Sequence, residues 1–205
     1  MIGIINYGSG NIAALMNIFK QGKINHCLCT SPADLEQADR FLLPGVGAFD
    51  PTMAQLDDSG ILEALRVQVF EANRPVLGIC VGMHLLAEGS DEGNLPGLGW
   101  IKGRVRKIDT AGLSSPPLLP HMGWNSVSLQ ASSALFDGID EAQGFYFLHS
   151  YYFDARADED VTATVEYGGS LPCAVERGRV FGVQFHPEKS HANGVRLLRN
   201  FAELV

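Results

Sequence analysis

A cysteine between two glycines is the first feature of the sequence that could do chemistry. Cys80 lies in the segment GICVG (residues 78–82), after an apolar run typical of a buried strand and before a helical pattern. This is the context of a nucleophile elbow, usually written G-x-S-x-G, in which small neighbours let the backbones pass closely at a strained turn. The start of the following helix would favour a thiolate. A buried core cysteine explains the same frame, so the frame alone leaves both interpretations open.

A histidine and a glutamate late in the chain could be the partners that such a cysteine needs. Residues 181–185 alternate as a strand, and Pro187 is expected to end it with His186 and Glu188 on either side. A cysteine nucleophile requires a base, and the base requires a carboxylate to fix its tautomer. A strand-end histidine bonded to backbone and a solvated glutamate are the alternatives. Together with the glycine-framed cysteine, the combination favours a catalytic triad.

Two glycine-rich loops follow predicted strands. PGVGAF (residues 44–49) could aim backbone N–H groups at an oxyanion, with the Val81 N–H as a second donor, although a tight loop between strand and helix is equally compatible. GSGNIA (residues 8–13) fits the dinucleotide fingerprint G-x-G-x-x-G/A, which needs an acidic residue about 20 residues further on. That place holds Cys29, Thr30 and Ser31, and Asp34 falls in the next helical turn. We therefore interpret this loop as a tight connection at the carboxyl edge of the sheet.

The elements that must position these residues alternate in the first half of the chain. Short apolar runs predict strands at MIGIIN, HCLCT, RFLLP and RPVLGIC. Helical spacing predicts helices at IAALMNIFKQG, ending at Gly22, at GILEALRVQVFEA after Ser59, and at VGMHLLAEG, closed by Gly89. Strands that alternate with helices indicate parallel pairing.

The second half is rich in strands. The predicted strand segments are WIKGRVRKI, NSVSL, FYFLHSYYF, VTATVEYG, LPCAVERG and RVFGVQF, with a hairpin around Gly178. LSSPPLLP is expected to be a loop, and NGVRLLRNFAELV a final amphipathic helix. The predicted fold class is α/β, with a central, mostly parallel sheet flanked by helices and antiparallel strands added in the second half.

The composition of the chain excludes several classes of function. The chain has 205 residues, 46% hydrophobic and 19% charged, which suits one domain over residues 1–205. A net charge of −8 argues against a nucleic-acid partner. No apolar run reaches the roughly 18 residues of a membrane span, and the N-terminal segment lacks the features of a signal peptide. Since no secretory signal is expected, we predict reduced thiols and a cytoplasmic protein. The four cysteines are Cys27, Cys29, Cys80 and Cys173, and the first two alternate with apolar residues as in a strand instead of forming a C-x-x-C site.

In combination, GICVG, PGVGAF and FHPEKS resemble the class I, or triad, glutamine amidotransferases. Four further segments extend the resemblance over essentially the whole chain: NYGSGNI, LPGLGWIKGRV, LPHMGWN and FYFLHSYYF. They narrow it to glutaminase subunits that supply a separate cyclase of histidine biosynthesis. The resemblance implies hydrolysis of L-glutamine to glutamate and ammonia, with neither a metal nor an organic cofactor.

The resemblance also implies roles for individual residues. Cys80 matches the nucleophile, His186 the base and then acid, and Glu188 the residue that orients it. The implied backbone oxyanion donors are Val46 and Val81. The implied glutamine pocket comprises Gly47, Met83, His84, Glu88, His149, Ser150 and Tyr151. Ammonia would pass to a cyclase subunit of (β/α)8-barrel type, and the residues expected to face that partner are Tyr7, Asn11, His121, Met122, Trp124 and Asn125.

Three positions depart from the family pattern. Asn6 stands where an aspartate is usual, Ala13 where arginine or glycine is frequent, and His84 where the family has glutamine. Three alternatives therefore remain open at this level. The chain could be a paralogous subunit supplying ammonia to an enzyme that modifies surface-polysaccharide sugars, a catalytically silent partner-binding module, or a stand-alone cysteine hydrolase.

Overall fold

An eight-stranded sheet lies at the centre of the fold. The computed structural model describes residues 1–113 and 118–204. Its strands are β1 (Ile2–Ile5), β2 (His26–Cys29), β3 (Arg40–Gly45), β4 (Val76–Cys80), β5 (Gly103–Lys107), β6 (His121–Asn125), β7 (Ser128–Leu129), β8 (Phe145–His149), β9 (Tyr151–Ala155), β10 (Val161–Glu166), β11 (Ser170–Arg177) and β12 (Val180–Val183). Its α-helices are α1 (Ile12–Gln21), α2 (Phe49–Asp58), α3 (Leu62–Phe70), α4 (Val81–Leu85) and α5 (His191–Glu203).

The order of strands in the main sheet is β2-β1-β3-β4-β12-β11-β10-β7. The five strands from β2 to β12 pair in parallel, and β11, β10 and β7 continue the sheet antiparallel. The remaining strands form two antiparallel ribbons, β5 with β9 and β6 with β8. This arrangement confirms the predicted fold class, including the late antiparallel strands.

Burial explains why the inner strands could be recognised from apolar runs. Every residue of β1, β4 and β12 is buried, as expected for parallel strands covered on both faces. In β8, by contrast, buried and half-buried residues alternate, as expected of a strand with one face on the core. The hairpin predicted at Gly178 joins β11 to β12, with φ of +60° at the glycine.

A cluster of phenylalanines holds the chain segment that follows β12. Phe185 is fully buried and stacks on Phe145 with ring centroids 3.7 Å apart. It also meets the rings of Phe147 and Phe136 edge-on. This packing fixes the segment that leads to His186 against the β6–β8 ribbon. The ribbon and the main sheet are therefore in contact next to His186.

Some predicted elements have different limits in the structure. The helix predicted to close at Gly89 ends at Leu85, because the Glu88 N–H donates to the carbonyl of Gly103 at the start of β5. Gly89 instead forms a bridge to Pro96. FYFLHSYYF contributes two strands, β8 and β9, to two different ribbons. The strand RVFGVQF is shorter than predicted, and the last helix begins earlier, at His191.

Two elements were not predicted from the sequence. Helix α2 begins at Phe49, with Pro51 in its first turn, where the missing N–H of proline costs no hydrogen bond. Strand β6 contains the segment HMGWN, whose central Gly123 has φ of +121°. Part of the predicted proline-rich loop, residues 114–117, lies outside the described residues.

Candidate active site

The carboxyl ends of three neighbouring strands meet at one edge of the sheet. The register pairs Gly45 of β3 with Cys80 at the end of β4, and Ile79 of β4 with Val183 at the end of β12. The glycine-rich loop, the cysteine turn and the segment with His186 therefore come together, although they are far apart in sequence. They line a cavity of about 350 Å³.

The turn at Cys80 is a strained elbow. Cys80 has φ of +55° and ψ of −114°, a backbone conformation that non-glycine residues rarely adopt. A Cβ atom at Gly82 would collide with the carbonyl oxygen of Leu43, and one at Gly78 would lie 2.6 Å from the carbonyl oxygen of Gly82. Both glycines are thus required for β3, β4 and α4 to pass one another at this turn.

His186 connects the cysteine to a buried carboxylate. The distance from His186 Nδ1 to Glu188 Oε1 is 2.9 Å, and the two side chains are 5% and 2% exposed. Because a carboxylate only accepts, Nδ1 carries the proton and Nε2 is the ring nitrogen left for Cys80. Burial lowers the pKa of His186, but hydrogen bonds and charge interactions with Cys80 and Glu188 outweigh it and raise this pKa to about 10. These interactions therefore favour the imidazolium form of the histidine.

Backbone contacts fix the position of this histidine. The His186 N–H donates to the carbonyl oxygen of Tyr146 at 2.9 Å. Its own carbonyl oxygen accepts a 2.6 Å hydrogen bond from the hydroxyl of Ser190, which in turn accepts from the N–H of Tyr146. Strand β8 thus holds the base in place from the second ribbon.

The two predicted oxyanion donors differ in their surroundings. Val81 is the first residue of α4, directly after the cysteine, and lines the cavity. Val46 also lines it, but the Val46 N–H donates to the hydroxyl of Ser9 at 2.9 Å. In this conformation of the loop, the Val46 N–H is therefore already hydrogen-bonded to Ser9.

Five of the seven residues predicted for the glutamine pocket line the cavity with Cys80; they are Gly47, His84, His149, Ser150 and Tyr151. Met83 and Glu88 lie elsewhere, which corrects the prediction for their side chains. Met83 is fully buried under β12, where a Cβ on Gly182 would lie 2.7 Å from its Cγ. Glu88 points to the surface, where its carboxylate is 2.7 Å from Arg156 and 3.5 Å from Lys102.

Sequence reasoning missed two charged residues of the cavity. Glu92 lines the cavity and accepts a 2.9 Å hydrogen bond from the N–H of Phe49. Lys189 also lines the cavity and carries the opposite charge. The expectation of Glu88 came from the family resemblance, whereas in the structure the chain leaves α4 after Leu85 and reaches the cavity at Glu92. The signal in the sequence that could have identified Glu92 is an acidic residue shortly after helix α4. Pro120 and Leu148 complete the apolar part of the lining.

The residues predicted to face a partner fall into two groups. The side chains of Met122 and Trp124 are exposed on β6, at 60% and 44%, and Asn11 is exposed at the start of α1. Tyr7 and His121 are buried, which corrects the prediction that their side chains face a partner. The Tyr7 hydroxyl donates to the carbonyl oxygen of Pro44 at 2.6 Å, beneath the glycine-rich loop.

Two buried histidines connect β6 with the cavity wall. His149 Nδ1 donates to the carbonyl oxygen of Tyr151 at 2.8 Å, so its Nε2 accepts from His121 Nδ1 at 2.9 Å. Asn125, also expected at the partner face, is half-buried and donates to His121 Nε2 at 3.2 Å. Burial lowers the pKa of His149 to about 3 and that of His121 to about 4, so both rings are neutral.

Comparison with known proteins agrees with this geometry. The family model "Glutamine amidotransferase class-I" matches residues 5–204. The chain belongs to the class I glutamine amidotransferases. A crystal structure of a glutamine amidotransferase shares the fold, with a TM-score of 0.73 at 20% identity over 98% of this chain and 97% of the other.

Two curated relatives are similar over their full lengths. The protein from Bdellovibrio bacteriovorus is 48% identical over 204 residues, and that from Leptospira interrogans is 45% identical over 204 residues. In both pairs the match covers 100% of each chain, and both relatives are named imidazole glycerol phosphate synthase subunit HisH. These findings confirm the family that the sequence motifs predicted.

The described part of the chain contains neither a membrane-spanning helix nor a cluster of metal-ligating side chains. None of the helices in the described ranges is long and apolar enough to cross a membrane. Residues 1–113 and 118–204 also contain no group of three or more His, Cys, Asp or Glu side chains arranged to hold a metal ion.

The pKa of His186 provides a test of the site. Two of the causes that raise this pKa come from Cys80, so replacing Cys80 by alanine removes them and leaves only Glu188 to oppose the effect of burial. We expect the pKa of His186 in Cys80→Ala to fall by one unit or more, about tenfold in proton affinity. NMR titration of labelled histidines measures it, with His26 as an internal reference. An unchanged pKa of His186 would contradict the contact between base and thiol.

Proposed function

We propose that this chain is the glutaminase subunit of imidazole glycerol phosphate synthase. In this role it hydrolyses L-glutamine and delivers the ammonia to a cyclase subunit of (β/α)8-barrel type in histidine biosynthesis. The observation that carries the proposal is the assembly of Cys80, His186 and Glu188 at one cavity. The names of the full-length relatives support the choice of pathway.

Acylation begins with the Cys80–His186 ion pair. The Cys80 thiolate attacks the side-chain carbonyl carbon of glutamine, and the carbonyl becomes a tetrahedral oxyanion. His186 then gives its Nε2 proton to the leaving nitrogen, which departs as ammonia and leaves a glutamyl thioester. Glu188 keeps the ring oriented and balances its charge while it is protonated.

Deacylation uses the same groups in the opposite sense. Neutral His186 accepts a proton from a water molecule, whose oxygen attacks the thioester carbon. The carbon–sulfur bond breaks, glutamate leaves, and the thiolate and imidazolium are restored. Over both steps, one glutamine and one water give one glutamate and one ammonia, so no cofactor is needed.

The charges of the cavity suit a free amino acid. Glu92 is the acidic side chain among the described lining residues and would bind the α-ammonium group of glutamine. Ser150 and Tyr151 line the same cavity and would bind the α-carboxylate. The apolar Leu148 and Pro120 would cover the methylene carbons between these ends and the reacting amide.

The oxyanion donors would be the N–H groups of Val81 and Val46. The Val81 N–H opens α4 directly after the nucleophile. The Val46 N–H would first have to leave the hydroxyl of Ser9, since one N–H cannot serve both acceptors well. In the resting enzyme, one of the two donors would therefore be occupied by Ser9.

The cyclase would dock where β6 faces outward. Met122 and Trp124 present large apolar side chains to solvent, as interface residues do. Met122 pairs in register with Leu148 of β8, and Leu148 lines the cavity. Because paired residues of neighbouring strands share one face of a ribbon, the docking face would lie next to the cavity, which leaves a short path for ammonia.

Three further features belong to this proposal. We propose that residues 1–205 form one domain, because a continuous core cluster runs from Ile2 to Phe201. We place the reaction in the cytoplasm, because all four cysteines are free thiols and Cys80 must be reduced to act. The alternative acceptor, a sugar-modifying enzyme of surface polysaccharides, gains no support from the relatives' names.

Replacing the nucleophile tests the division of labour between the subunits. In the complex of this chain with its cyclase, we expect Cys80→Ala to abolish glutamine-dependent turnover and to leave ammonia-dependent turnover at the wild-type rate. Initial rates with glutamine and with ammonium chloride measure the two activities. Cys173→Ala is the matched control, because Cys173 is a buried thiol on β11.

Three outcomes would contradict the proposal. Glutamine turnover by Cys80→Ala would exclude the triad mechanism. Loss of both activities in a folded complex would contradict separate sites. Full glutamine hydrolysis by the isolated wild-type chain, unchanged by the cyclase, would favour a stand-alone hydrolase, whereas ammonia transfer to a sugar-modifying partner would favour the paralogous role.

The docking face can be tested separately from the chemistry. We expect Trp124→Ala to weaken binding of the cyclase by at least about tenfold, since a large aromatic side chain at an interface often contributes 2 kcal/mol or more. Phe70→Ala is the matched control, because Phe70 is 51% exposed on α3 and packs edge-on against Trp100. Titration calorimetry measures both affinities. Equal affinities of the two variants would contradict docking at β6.

A further inference from the structure

His84 lies beside the nucleophile without being part of the triad. It occupies α4, is 3% exposed and lines the cavity with Cys80. Its Nε2 is 2.7 Å from Oε1 of Gln184, a fully buried side chain one residue beyond β12. The other end of the same amide, Gln184 Nε2, lies 4.0 Å from Cys80 Sγ. One amide therefore joins the histidine to the reacting sulfur.

The chemistry of the three groups fixes the direction of each contact. A thiolate only accepts hydrogen bonds, so the amide nitrogen of Gln184 must face Cys80 and its oxygen must face His84. An amide oxygen also only accepts, so His84 must carry its proton on Nε2. Burial lowers the pKa of His84 to about 4, which keeps the ring neutral. Its Nδ1 then has no proton, and it has no partner among the described residues.

We propose that His84 is a positioning residue, whose Nε2–H holds the Gln184 amide with its N–H toward the Cys80 thiolate. Without this donor, the amide can rotate and present its oxygen to the sulfur, which would repel the thiolate. His84 acts through Gln184 in this account, and not as a ligand of the substrate. The inference rests on the proposed function, because it concerns the same nucleophile.

Other charged and titratable groups surround the Cys80 sulfur, and they must be the same in all variants that are compared. His186 bonds the sulfur directly, while His149, Glu92 and Lys189 face the same cavity. The buried Tyr7 hydroxyl is also close enough to interact with Cys80 by charge. None of these residues changes in the variants below, so differences among the variants report on the amide contact.

Two substitutions at His84 separate the role of Nε2 from that of ring volume. Glutamine carries its amide one methylene further out than asparagine does, so His84→Gln places an N–H near the position of Nε2. His84→Asn places its amide near the position of Nδ1 and leaves Gln184 Oε1 without a donor. Gln184→Met removes the amide itself while keeping a side chain of similar length.

The experiment measures the pH dependence of Cys80 alkylation by iodoacetamide in the full chain, with the modified peptide quantified by mass spectrometry. An N–H group aimed at a thiolate favours thiolate formation, and we expect its removal to raise the midpoint by about one pH unit. We therefore expect the midpoints of His84→Asn and Gln184→Met to lie about one unit above wild type, while His84→Gln retains the wild-type midpoint. In the complex, kcat for glutamine should fall in the first two variants with little change in KM.

Different outcomes overturn the inference and the proposed function. Equal midpoints for His84→Asn, Gln184→Met and wild type would overturn the positioning role. A raised KM in His84→Asn with an unchanged midpoint would make His84 a substrate ligand instead. If His84→Asn does not fold, an unchanged midpoint in Gln184→Met still overturns the inference. Absence of glutamine turnover by the wild-type complex would refute the proposed function, and the alkylation midpoints would remain interpretable because they require no glutamine.

Discussion

The parallel pairing of β4 with β12 is the constraint on which the rest of the site depends. It places the residue before Cys80 level with Val183, three residues before His186. Nucleophile and base thereby reach the same sheet edge from positions about half the chain apart. The phenylalanine stack beneath Phe185 and the hydrogen bond from His186 to Tyr146 then fix the base against the second ribbon. A change in the register of this pair would separate the triad even with every residue present.

Burial lowers the pKa of each of the four histidines around the cavity, but at His186 the interactions with Cys80 and Glu188 outweigh it. His186 lies between a thiol and a carboxylate and is held as an imidazolium, with its pKa raised to about 10. His84, His121 and His149 have neutral partners, so burial keeps them neutral. Of these four histidines, His186 therefore carries a charge beside the Cys80 sulfur and the other three are neutral. This division lets the neutral rings orient their neighbours without competing for the proton that the reaction transfers.

Local signals in the sequence predicted much of the fold and the triad. The apolar runs identified the buried strands because parallel strands are covered on both faces, and the glycines around Cys80 marked a turn that only small residues allow. Errors arose where tertiary contacts override local pattern. Helix α4 stops early because the backbone that follows it bonds to β5. Glu88, which was expected from the family resemblance, does not line the cavity, and Glu92 does. The contact of Gln184 with His84 spans 100 positions, and no spacing rule could have found it.

Trapping with a reactive glutamine analogue shows whether Cys80 is the covalent nucleophile for glutamine. The complex is incubated with 6-diazo-5-oxo-L-norleucine, and each cysteine peptide is analysed by mass spectrometry. The account predicts stoichiometric labelling of Cys80, protection by glutamine, and no labelling of Cys27, Cys29 or Cys173. An unlabelled Cys80 in a complex that still turns over glutamine would contradict the account.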